Sequence, residues 1–198
     1  MFSRIAWMKV LVGSALSLFL AHSALAQKHD VVTRPSAPLK PDAEASHERA
    51  KLLLSGYHGL VSQAELESAV PNAREVMFDI ARDKASAELH RQRAVAALGF
   101  WPDATVHALF RALLSASDSS EGLRHQLIGH LARVFGDAAL ADIAPYLADD
   151  DVQLRLTAIS ALGMLGTDEA LLLLAKAGKS ESNPVVLERI AQAGRHVR

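Results

Sequence analysis

The sequence has no cysteine at any of its 198 positions. That excludes thiol chemistry, disulfide bridging and a cysteine-linked lipid anchor, so stability must come from apolar burial. Aromatic residues are scarce, at 5 %. Neither sign of charge dominates: 21 Lys and Arg stand against 22 Asp and Glu. A nucleic-acid binder carries a basic surplus to neutralise phosphates, and this chain has none. Strand-like alternation at a period of two is missing as well. Long apolar runs are also lacking. The stretch Val10 to Leu20 is only about half the roughly 20 residues a membrane-spanning helix needs.

That short run lies between Arg4 and Lys9 on one side and Ala24-Leu25-Ala26 on the other. A basic start, a greasy middle and a small-x-small end make a secretory signal peptide. The expectation is cleavage after Ala26 and a mature chain from Gln27, exported to the periplasm or secreted, with no membrane insertion once the signal is gone. Its loss would leave 19 basic against 22 acidic side chains. Residues 27–42 carry Pro35, Pro38 and Pro41 with few large apolar groups, and read as an extended linker. Residues 43–198 read as one all-helical domain, because Ala, Leu and charged residues recur there at helical spacing.

This helical text repeats. Arg91 to Gly99 aligns with Arg155 to Gly163, sharing the arginine, the spaced small residues, the leucine and the glycine. A third copy runs from Leu123-Arg124 to Leu131. Each copy leads through a turn into a second apolar helix, at Val106 to Leu114, Leu140 to Leu147 and Ala170 to Ala177. A two-helix period near 30 residues marks an α-solenoid, whose units stack because one hairpin cannot bury its own apolar face. Asp103, Asp137, Thr167 and Asn183 stand where helix N-caps are needed, and Ser62 to Glu65 has capping-box spacing. Tyr57 to Asp83 reads as a degenerate first unit, and Pro184 to Val197 as a lone closing helix.

The run Asp151-Val152-Gln153-Leu154-Arg155, with Ala158, Ala161-Leu162-Gly163 and Leu165-Gly166, resembles the bacterial HEAT-like repeat. The resemblance is good over about Glu88 to Lys179 and implies a short α-α superhelix of about four hairpins plus a closing helix. It also implies an aspartate six residues before each repeat arginine, a spacing met by Asp118 with Arg124 and Asp149 with Arg155. Arg91 has Ala85 there instead. Second helices of such proteins line a concave side that binds partners. Carried over, this side holds Glu75, Asp79, Arg82, His107, Arg111, Asp142, Tyr146 and Lys176. Their mixed charge suits a protein or peptide partner. Trp101, beside Phe100, is either a plug between units or an aromatic anchor at one edge. Tyr57-His58-Gly59-Leu60 raises the same question.

Little else points to chemistry. His125 and His130 are five apart, off the spacing that sets two imidazoles on one helical face. His47-Glu48 has Lys51 where a zinc-protease motif needs its second histidine, and Gly178-Lys179-Ser180 lacks the earlier glycine of a phosphate loop. Asp149-Asp150-Asp151 reads as turn and cap acids, not a calcium loop. The expectation is a non-enzymatic interaction scaffold or adaptor with no catalytic residue, cofactor or metal site. The resemblance leaves two alternatives: an accessory subunit or lyase-like enzyme of that family, or a structural envelope protein that self-associates weakly through its end units.

Overall fold

The computed structural model describes residues 41–56 and 61–195. The expected signal peptide, most of the expected linker and the segment Tyr57 to Leu60 lie outside them. Every regular element among the described residues is a helix. None of these helices is long and apolar enough to cross a membrane.

The first helix, α1 (Pro41–Leu54), begins two residues inside the stretch read as linker. Proline suits a first helical turn because that N–H has no intrahelical partner. The short α2 (Gln63–Ala69) opens with the expected capping box, Ser62 accepting from Glu65 N and the Glu65 carboxylate accepting from Ser62 N. There follow α3 (Ala73–Arg82), α4 (Glu88–Leu98), α5 (Ala104–Ser115) and α6 (Glu121–Phe135). A broken segment comes next, in which the single-turn α7 (Leu140–Ile143) lies between 3-10 turns at Gly136–Ala139 and Ala144–Ala148. The chain ends in α8 (Val152–Leu165), α9 (Asp168–Ala177) and α10 (Pro184–Ala193).

Packing seats α3 against both α1 and α4, and α6 against α5, the α7 segment and α8; α9 packs on α8, and α10 closes the stack on α8. The degenerate first unit therefore has α1 as its first helix, with α2 an extra turn between the pair. Two expectations in the third unit fail. The helix expected over Leu140 to Leu147 holds α-form for one turn only, because Pro145 has no N–H to donate and disfavours helical geometry at Ala144. Asp137 is not an N-cap: it sits inside the 3-10 turn, and the residue before α7 is Ala139. Asp103, Thr167 and Asn183 do cap their helices, accepting backbone N–H groups two or three residues on.

One continuous core runs through the stack, from Leu54 and Met77 through Leu98, Phe110 and Leu127 to Ile159 and Leu162. Hydrogen bonds then step from unit to unit. Gln126 Nε2 donates to Gln92 O (2.7 Å), Tyr146 Oη to Leu114 O (3.1 Å) and Arg189 to Ser160 Oγ (3.3 Å). Ser120 Oγ likewise bonds Glu88.

The arginine ladder is only half made. Arg155 donates to the carbonyl of Asp149 at 2.7 Å, and its carboxylate partner is Glu181, at 2.9 Å, beyond α9. Asp118 pairs with Lys84 one unit earlier rather than with Arg124, whose buried Nε has no hydrogen-bond partner among the described residues. Arg91 reaches Ala81 O at 3.4 Å and Glu88 at 3.5 Å.

His130 is an acid-sensitive point in this framework. Burial, aided by the nearby Arg133 charge, lowers its pKa to about 4. Geometry agrees: the Gln126 amide nitrogen and the Arg133 guanidinium each lie 3.3 Å from one of its ring nitrogens. A protonated ring would set N–H against these donors. Unfolded, the ring titrates near the ordinary value of about 6.5. Between those values the unfolded chain binds more protons, so stability is lost as pH falls through that window. The denaturation midpoint should thus fall between pH 7 and pH 4.5, and His130→Gln should remove most of that fall. An unchanged slope in His130→Gln would assign the acid sensitivity elsewhere.

Candidate functional site

The residues expected to bind a partner divide into three places. Glu75 and Trp101 line one cleft of about 240 Å³, together with Glu67, Val70, Asn72 and Arg74. The cleft lies where the first unit meets the second. Its floor comes from the turn between α2 and α3, where Asn72 takes the left-handed conformation (φ 54°), reversing the chain within three residues. Its wall is Trp101, in the turn that follows the first helix of the next unit.

Trp101 is both plug and edge. It meets Phe100 edge-on at 6.0 Å and packs on the core, yet its indole N–H reaches the rim and donates to Glu67 Oε1 at 3.1 Å. Arg74, 2.5 Å from Asp103 and 3.4 Å from Glu75, completes the rim. Asp103 sits well below the usual carboxylate range because Val106 N–H and the Arg74 guanidinium both donate to it. The cleft thus combines one aromatic face, one valine and a rim of alternating charge. Such a pocket takes an apolar side chain and hydrogen-bonds the polar backbone around it.

Asp79 and Arg82 continue the α3 stripe outside the cleft. Asp79 stands 3.7 Å from His47 on α1, and the Arg82 guanidinium lies 5.6 Å over the Phe78 ring. His107 and Arg111 are engaged elsewhere. Both hold Asp142 of the α7 segment, at 2.8 Å and 2.7 Å, and His107 stacks on Phe135 at 4.4 Å. These two residues and Asp142 form a joint between units more than an open contact surface. Sequence reasoning missed Glu67, Val70, Asn72 and Arg74. The signal available was weak: Pro71-Asn72 marks a tight turn, but its facing Trp101 lies a full unit away.

The stacked pairs and continuous core define an all-α solenoid. Residues 110–194 match the family model described as HEAT repeats, which supports a HEAT-like repeat protein. No curated protein matches the chain.

Proposed function

We propose that this chain is a non-enzymatic interaction scaffold or adaptor of the cell envelope, and that it binds a protein or peptide at the Trp101 cleft and along the adjoining α3 stripe. HEAT repeats are commonly protein-interaction scaffolds and generally mediate protein contacts. The carrying observation is the convergence of Glu75 and Trp101 in one cleft with an aromatic wall and a charged rim. Envelope location rests on the reading of Met1 to Ala26 as a signal peptide.

Capture from an envelope extract tests this, with the wild type beside a Trp101→Ala, Glu75→Ser double variant. The expected result is a protein retained by the wild type and lost by the variant, its direct binding weakened about tenfold or more, as for an aromatic hot spot. The recovered bait should begin at Gln27. A partner held equally by both would remove the cleft from the interface. No partner, with a mass that grows with concentration, would favour self-association. Exposed Leu172, Met164 and Val185 near the closing end are the surface that reading would use.

A further inference from the structure

We propose that the side chain the Trp101 cleft takes from its partner is an arginine. The inference rests on the cleft being the binding place and names the chemistry it recognises. The cleft, at about 240 Å³, is smaller than the roughly 300–1,000 Å³ of small-molecule sites. It suits one long side chain rather than a cofactor.

Charge decides which side chain. The cations beside the cleft are already engaged. Arg74 holds Asp103 at 2.5 Å, and Arg49 of α1 donates to the carbonyl of Ala69 at 3.3 Å. Asp103 is fully used as well, its other oxygen accepting from the N–H groups of Thr105 and Val106. Glu67 and Glu75 are not. Glu67 Oε1 accepts from Trp101 Nε1 and from Gln63 Nε2 at 2.8 Å, while its Oε2 has no hydrogen-bond partner among the described residues. Glu75 meets only Arg74, at 3.4 Å, and 64 % of its side chain is exposed. Arg74 thus offsets Asp103 and leaves two carboxylates on the rim uncompensated. An apolar tip pressed over them would strip their water and return nothing. An acidic tip would be repelled. A side chain with a methylene stem and a cationic head meets both halves of the cleft, the stem along the indole and the head at the rim.

The wall favours arginine over lysine. The N–H bond from Trp101 to Glu67 sets that carboxylate at the edge of the indole ring. A flat guanidinium stacked on the ring turns its own N–H edge the same way, so it gains the cation–π attraction and the charged hydrogen bond together. An ammonium is a point charge with no such edge. Asp79, one helical turn beyond Glu75 on α3, carries the acidic track past the cleft, where a second basic residue of the same segment would meet it.

Titration of the nitrogen-15-labelled full chain with blocked Gly-X-Gly tripeptides tests this. The readout is the Trp101 indole N–H resonance, told from that of Trp7 by its loss in Trp101→Phe. The arginine peptide should shift it saturably, with a dissociation constant on the order of millimolar, as for a single side chain. The citrulline peptide, which keeps the shape without the charge, should bind at least about tenfold more weakly, as should the leucine peptide. Lysine should fall between. Glu67→Gln combined with Glu75→Gln, at exposed positions that do not endanger folding, should bring arginine down to the level of citrulline. Citrulline, leucine or lysine binding as tightly as arginine would overturn the proposal while leaving the cleft a binding place. Full arginine affinity in the double Gln variant would do the same. No shift with any of the four would overturn it too, and would count against the cleft itself.

Discussion

Leu162→Asp should abolish the native stack or lower its unfolding temperature by more than about 10 °C. Leu162 is fully buried on α8, in the continuous core. An aspartate there loses the leucine's packing and brings a carboxylate into a site with no partner for it. Truncating a buried leucine already costs about 2–5 kcal/mol, and an unpaired buried polar group adds more. Against a typical total of about 5–15 kcal/mol, that leaves little. In a domain of this size each kcal/mol moves the midpoint about 2–4 °C. A thermal melt of the purified variant decides the matter. A shift of less than a couple of degrees would mean that α8 is not a central element.

Gly163→Val should act next door by a different route. A Cβ at Gly163 would stand 2.8 Å from the Cβ of Ala193 on α10 and 3.5 Å from its Cα. Nothing flexible lies on either side, since a helix backbone carries both groups. The helices must move apart, and such overpacking costs about 1–3 kcal/mol, or roughly 3–10 °C in the midpoint. Because the obstruction is one methyl group, Ala193→Gly should return much of the loss when combined with Gly163→Val, although it is mildly destabilising alone. That non-additivity is what two residues in contact produce. If the two changes merely added, the closing helix would not be seated on Gly163.

What the sequence disclosed about this fold was whatever recurs locally. The Arg-to-Gly copies placed α4, α6 and α8 correctly, and side-chain caps at Asp103, Thr167 and Asn183 marked three helix starts. Local spacing failed where a distant residue decided the outcome. Asp118, six before Arg124, looked like its partner, but Lys84 from the preceding unit takes it. In the third unit Leu140, Ile143 and Leu147 kept helical period although Pro145 breaks the helix between them; a bond lost within the helix leaves no mark on an apolar pattern. The candidate site shows the same limit. Glu75 and Trp101 were each chosen for a local reason, and only the stacking of two units brings them to one cleft. His107 and Arg111 looked free because Asp142, which both of them hold, is 35 and 31 residues ahead of them in the chain.

Among the described residues, the hydrogen bonds that join one unit to the next span at most 39 residues of chain. A polypeptide that emerges from a narrow exit in N-to-C order thus needs only the next stretch of that length before the unit already outside can close its contacts. With no cysteine to oxidise and few pairings between distant parts of the sequence, assembly can keep pace with delivery and ask nothing of an oxidising catalyst. The same economy makes a chain cut short at any inter-unit turn present, at its new end, the greasy face its missing neighbour would have covered.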